Sequence, residues 1–254
     1  MITFVLFGVA LLAGALNAVA GGGSFFTFPA LIFAGVPPIL ANATNATALW
    51  PGSIASTIAY RQELLAAPRQ LTILLCVTSL LGGILGALAL LGTPPELFSQ
   101  MVPFLLLIAT LLFAFRQQVV RLVQGQSVTA TPSRLALGIV VFLNLLISIY
   151  GGFFGGGMGI MGLAVLSLLG LDSIHTMNGL KTLVFNFSKG IAVITFVVAS
   201  VVVWPYALVM TIGAIAGGYF GAAYARKADP RLVHYLILVV GFGMSAIFFV
   251  RAYL

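Results

Sequence analysis

The sequence predicts an all-α, polytopic membrane protein, and three observations carry that prediction. Of its 254 residues 61% are hydrophobic and only 6% are charged, with a mean hydropathy of +1.21, so its charged surface would not cover a water-soluble globule. Its apolar residues gather into stretches that match or exceed the roughly 20 residues one membrane span requires. Two glycine runs, Gly21-Gly22-Gly23-Ser24 and Gly155-Gly156-Gly157-Met158, sit in the middle of such stretches. Each glycine costs a helix interior about 1 kcal/mol relative to alanine, so a triplet predicts that the backbone leaves helical geometry there. In hydrocarbon that is tolerated only where the freed N–H and C=O groups face protein or a water-filled cavity.

In chain order, the stretches suited to helices cover 2–34, 40–60, 70–91, 98–115, 135–170, 173–198, 203–225 and 233–253. The first and fifth each contain a glycine triplet and predict broken, re-entrant hairpins. In the second, Pro51 predicts a kink or a break. The third and seventh carry glycines at small-xxx-small spacing, Gly82/Gly86 and Gly213/Gly217/Gly221, which reads as close helix packing rather than chemistry. The longest polar connection, 117–134, reads as a linker. The N-terminus has no Lys or Arg before Arg61 and so lacks the charged region of a cleaved signal peptide; it is expected to be retained. A single cysteine, Cys76, excludes an intramolecular disulfide.

Shifting the sequence by 135 superposes Gly35 on Gly170, Thr47 on Thr182, Ser53 on Ser188, Gly82-Gly83 on Gly217-Gly218, Gly86 on Gly221, Pro95 on Pro230 and Arg116 on Arg251. The triplets match at 134. This order-preserved series predicts a duplication, with a first transmembrane repeat over 1–116, a cytoplasmic linker over 117–134 and a second repeat over 135–254. The formal charge of +7 would suit a nucleic-acid partner in a soluble chain. Here most Lys and Arg lie at the ends of apolar segments, which is the pattern that orients a membrane protein, and no nucleic-acid partner is expected. If every stretch crossed once, the loop of Arg226, Lys227 and Arg231 would face away from those of Arg61, Arg69, Arg116, Arg121 and Arg134. Treating 2–34 and 135–170 as hairpins that enter and leave on one side removes the conflict. Three crossings then follow each hairpin, the second repeat is inverted, and both chain ends lie outside the inner (plasma) membrane. Eight of the eleven Lys and Arg residues lie inside.

Paired broken helices suit a transporter, because inward-pointing helix N-termini carry partial positive charge and can hold an anion near the bilayer midplane. Candidate binding groups are therefore the triplets, Gly21, Gly22 and Gly23 with Gly155, Gly156 and Gly157. The helices that follow add polar faces. Asn42, Asn45, Ser53, Ser56 and Tyr60 fall on one stripe at 100° per residue. In the second repeat Asn178, Lys181, Thr182, Asn186, Ser188 and Lys189 share a broad face. Two lysines and two amides inside a span are expensive unless they line a cavity, so Asn42, Asn45, Asn178, Lys181, Asn186 and Lys189 join the candidate site. His175 and Asp172, near the start of that helix, are a candidate proton relay. Glu63, Glu96 and Asp229 read as solvated loop residues. No His, Cys, Asp or Glu cluster has metal-ligand spacing and no phosphate-loop lysine follows a triplet, so neither a metal nor another cofactor is expected.

Four motifs carry a family resemblance. They are Gly14-Ala15-Leu16-Asn17-Ala18-Val19-Ala20-Gly21-Gly22-Gly23, Ala41-Asn42-Ala43-Thr44-Asn45, Tyr150-Gly151-Gly152-Phe153-Phe154-Gly155-Gly156-Gly157-Met158-Gly159 and Met177-Asn178-Gly179-Leu180-Lys181. Together they resemble the TauE/SafE family of sulfite and organosulfonate exporters over nearly the whole chain. The resemblance implies a multi-pass permease, not an enzyme, that moves a small sulfur-containing anion such as sulfite, an organosulfonate or thiosulfate. The expected partners are that solute and the lipid bilayer.

Overall fold

The structure, a computed structural model, describes residues 1–19, 22–65, 67–115, 118, 134–169, 174–224 and 230–254. The linker over 117–134, apart from residues 118 and 134, and the loop over 225–229 lie outside the described residues, as do Gly21 and Asp172. Among the described residues there are eleven helices and no strand. They are α1 (Ile2–Val19), α2 (Ser24–Phe33), α3 (Pro38–Ala59), α4 (Arg61–Leu65), α5 (Arg69–Gly92), α6 (Pro95–Ala114), α7 (Arg134–Phe153), α8 (Met158–Ser167), α9 (Ile174–Val198), α10 (Trp204–Tyr224) and α11 (Pro230–Tyr253). The protein is thus all-α and polytopic. Four segments are by themselves long and apolar enough to cross a bilayer: Arg69–Gly92, Pro95–Ala114, Thr176–Val198 and His234–Tyr253.

Local chemistry sets the helix boundaries. Proline opens α3, α6 and α11, at the one helical position where its missing N–H costs nothing. Helix α2 ends at Gly35, whose φ of 84° is left-handed; Val36 N–H then donates back to Leu31 O at 3.0 Å, closing the helix end. Pro51 does not break the helix: it lies within α3, which runs from Pro38 to Ala59, and the division between the two compact units described below falls just after the next residue, Gly52.

The glycine runs interrupt the helices. Gly22 has φ 91°, Gly155 φ 82° and Gly157 φ 74°, conformations that cost an L-residue with a side chain about 1–2 kcal/mol. Each turn separates a longer helix from one of only 10 residues, α2 or α8. At 1.5 Å per residue such a helix is about 15 Å long, half the hydrocarbon thickness.

The chain forms two compact units, and each draws on both halves of the sequence. Unit 1 comprises Met1–Gly52, Leu90–Ala114 and Phe196–Leu254; unit 2 comprises Ser53–Ala89 and Phe115–Thr195. In unit 1, α1 packs along α10 and α6 along α11. Gly14 meets the Ala214 backbone and Gly217 meets the Leu11 carbonyl so closely that a Cβ at either glycine would collide. Phe25, Phe28, Phe98, Phe196 and Met210 are buried there, and Phe28 lies 6.4 Å from Phe248, centroid to centroid. Unit 2 buries Leu75, Val140, Ile147, Met158, Leu180, Val184 and Phe185. Within it α5 packs on α7: a Cβ on Gly82 would lie 2.6 Å from Ser148 Cβ and 2.8 Å from Leu145 O. These glycines do serve close packing.

That second seam is also polar. Asn144 Nδ2 donates to Leu75 O, Thr78 Oγ1 and Ser79 Oγ at 3.2, 2.9 and 3.0 Å, and Ser148 Oγ donates to Ser79 Oγ at 2.9 Å. Ser188 of α9 joins by donating to Ser148 O at 3.1 Å. Asn144 and Ser148 are four residues apart and so project from one face of α7. In the seam of unit 1, Gly14 and Ala214 occupy the places of Ser148 and Ser79 at the 134–135 offset.

Candidate solute-binding site

The first glycine turn, in unit 1, is tied by side chains. Gly23 N–H donates to Asn17 Oδ1 at 2.8 Å. Thr27 Oγ1 lies within hydrogen-bond distance of both Gly23 O and Asn45 Oδ1. Asn45 is 4% exposed and Asn42 2%, so both are core residues, and Asn45 acts as a brace between α3 and α2. The sequence marks Asn42 and Asn45 correctly as inward-facing; it does not mark Asn17 and Thr27, their neighbours in purpose. Gly22 and Gly23 are described in this turn, whereas Gly21 is not.

The second turn, in unit 2, is tied by backbone: Phe154 and Gly155 N–H donate to Tyr150 O at 2.8 and 3.1 Å. Gly151 stands at the place of Asn17, and the space above it is filled by Met158, whose Cε would lie 2.6 Å from a Cβ on Gly151. Ser188 Oγ of α9 lies 3.5 Å from the same point, so Gly155, Gly156 and Gly157 close a turn beside the middle of α9. Helix α8 starts there, and its first N–H groups have no intrahelical acceptor by the geometry of any helix start. They confer partial positive charge on the turn.

Helix α9 carries the remaining second-repeat candidates. Lys181 Nζ donates to Asn178 Oδ1 at 2.8 Å, and Asn186 Nδ2 donates to Thr57 Oγ1 at 3.3 Å. Lys181 and Lys189 are both partly buried. Lys181, Phe185 and Lys189 recur every four residues and therefore share a face. Phe185 lodges against Gly162 of α8, leaving no room for a Cβ there. The two lysines thus belong to the side of α9 that packs on α8. Gly179 and Asn186 meet the end of α3 and α4 instead. His175 lies in the first turn of α9, its side chain outside the described residues.

Two buried side-chain atoms lack a hydrogen-bond partner among the described residues, the Tyr150 hydroxyl and Oε2 of Glu63. Neither stands out in the sequence: Tyr150 reads as one more aromatic, and Glu63 reads as solvated. Among the described residues no group of His, Cys, Asp and Glu has the arrangement of a metal site.

Unit 2 thus carries two lysines and two amides on one helix of an apolar helical body, and comparison with known proteins says what kind of protein the chain resembles. The family profile described as sulfite exporter TauE/SafE matches residues 6–248. The chain belongs to the TauE/SafE family. Three relatives are each named "Probable membrane transporter protein". One from Haemophilus influenzae is 30% identical over 95% of this chain and 92% of its own length. ORF9 from Sinorhizobium is 30% identical over 94% and 89%, and YfcA from Escherichia coli K12 is 29% identical over 95% and 87%. No solved structure matches the chain. Membership in TauE/SafE makes the protein a multi-pass membrane transporter that handles a small solute.

Proposed function

We propose that this TauE/SafE protein is a permease for a small sulfur-containing anion, sulfite, an organosulfonate or a thiosulfate-like species, and that it works as an exporter in the inner membrane. The observation that carries the reading is the face of α9 bearing Lys181 and Lys189, packed through Phe185 onto α8, the short helix that starts at the second glycine turn. A helix N-terminus and two lysines within the same unit favour an anion. Asn178 holds the Lys181 ammonium. Unit 2 contains elements from both proposed repeats, α5 and the end of α3 from the first and α7 to α9 from the second, so the site lies where the repeats meet. The matching seams of the two units, Gly217 on Leu11 and Gly82 on Leu145, support the duplication, since both pairs correspond at the 134–135 offset. Export of an anion needs no coupling ion, because one negative charge leaving a cell that is 100 mV negative inside gains about 2.3 kcal/mol.

The test is flux. Purified protein alone in liposomes should exchange internal unlabelled sulfite or ethanesulfonate for external 35S-labelled anion, well above protein-free liposomes. Failure to exchange any sulfur oxyanion or sulfonate would overturn the reading.

A further inference from the structure

The short helix α4 carries a carboxyl group that the transport reading leaves unused. Helix α4 continues from α3 through hydrogen bonds from Tyr60 N–H to Thr57 O at 3.2 Å and from Leu64 N–H to Tyr60 O at 3.0 Å. It rests on α9: a Cβ on Gly179 would stand 3.4 Å from Tyr60 Cβ, 3.5 Å from Glu63 Cβ and 3.6 Å from Leu64 Cγ. Glu63 Oε2 is shut off from solvent with no hydrogen-bond partner among the described residues. It lies against the face of α9 that carries Gly179, Thr182 and Asn186, two residues along the chain from Lys181. Native proteins rarely leave a buried polar atom unmatched, and each exception calls for a missing partner. A bare carboxylate oxygen accepts only, so the partner it lacks is a donor or a cation.

We infer that Glu63 is the proton-binding group that couples proton movement to anion movement in this transporter. The inference rests on the anion-permease reading above. The proton binds Oε2 from one compartment, forming the neutral acid, and leaves from the same oxygen to the other compartment as the anion moves alongside; with a monoanion the transfer is electrically neutral. Gly179 matters because it lets α4 approach α9 without an intervening side chain. The ionisable groups on the elements packed around Glu63 are Tyr60, Arg61, Lys181, Lys189 and His175, the last with its side chain outside the described residues; no described group among them bonds to Oε2. With coupling, the same protein exports or accumulates according to the proton gradient.

The experiment uses purified full-length protein in liposomes with the membrane potential clamped at zero by potassium and valinomycin. The probe is 35S-ethanesulfonate, which has no titratable proton near neutral pH. With the lumen one pH unit more alkaline than the bath, wild-type protein should accumulate the probe about tenfold, the equilibrium ratio for one proton per anion. Glu63→Gln should keep anion exchange but equilibrate the probe at a ratio near one. Glu63→Asp should restore part of the accumulation, and Glu96→Gln, at an exposed acid of α6, should behave as wild type. Wild-type exchange without pH-driven accumulation would overturn the inference and leave the permease intact, whatever the variants do. So would full accumulation by Glu63→Gln, or accumulation driven by a sodium gradient instead. Absence of exchange of sulfite as well as ethanesulfonate would sink the permease reading itself.

Discussion

Lys181 shows what one residue would add to the proposed duplication. At the offset of 135 it faces Ala46, and Lys189 faces Ile54, so positive charge has entered one repeat only. A cation inside a span is costly unless something compensates it, and here Asn178 does so in part through a 2.8 Å hydrogen bond. A bound anion would complete that compensation. Lys181→Met should therefore weaken sulfite binding tenfold or more, about 1.4 kcal/mol, with little loss of fold, while Lys181→Arg should keep part of the affinity because charge survives and geometry changes. Thermal unfolding reads this directly: sulfite should raise the wild-type Tm clearly and that of Lys181→Met far less. Equal stabilisation of both proteins would remove Lys181 from the site. The candidacy of Lys181 was legible in the sequence because a charge stands out in an apolar helix. Glu63 was not, because an acid in a short polar connection looks solvated until the fold shows which of its atoms is covered.

At the scale of helices, the seams decide which elements hold together. Gly217 and Gly218 are adjacent in α10, yet a Cβ on Gly217 would run into the Leu11 carbonyl, while one on Gly218 would meet only Gly14 O at 3.9 Å. Backbone cannot move aside as a side chain can, so Gly217→Ala should destabilise by about 1–3 kcal/mol, as overpacking does, and Gly218→Ala should be near neutral. Denaturant or thermal titration in detergent would compare the two, and equal effects would contradict the seam. The small-xxx-small spacing made these glycines recognisable as packing residues. It did not say what they pack against, since such a pattern carries no address; α1 finds its partner about 200 residues away. The break at each glycine triplet was legible for the opposite reason, because it is a purely local consequence of backbone freedom. The polar seam of Asn144, Ser148 and Ser79 had a legible half, the four-residue spacing on α7, but its partner on α5 again had to come from the fold.

For the whole molecule the proposed orientation can be tested without a solute. If the two hairpins enter and leave on one side, single cysteines at Gln126 and Ala228 should be labelled only from inside and one at Val201 only from outside, in a Cys76→Ser background. An external Ala228 would mean that the second hairpin is a full crossing and would dissolve the inverted arrangement. The all-helical, membrane-embedded character was readable from composition and periodicity alone, because hydrocarbon leaves the chain few alternatives. The partition into compact units was not: each unit takes elements from both halves of the sequence, and no boundary signal in the chain marks the cut near Phe196.

That partition has a consequence for how the protein is made. The first hairpin leaves the ribosome well before α10, the helix whose backbone it touches at Gly14 and Gly217, is completed at Tyr224. At about 5–20 residues per second the gap lasts roughly 10–40 s. Through that interval α1 must wait in the lipid or the insertion machinery with its small-residue face uncovered, and no unit is finished until unit 2 ends at Thr195. Quality control would meet an incomplete protein for most of its synthesis, and mutations in α10 would be felt first as a failure to retain the N-terminal helix.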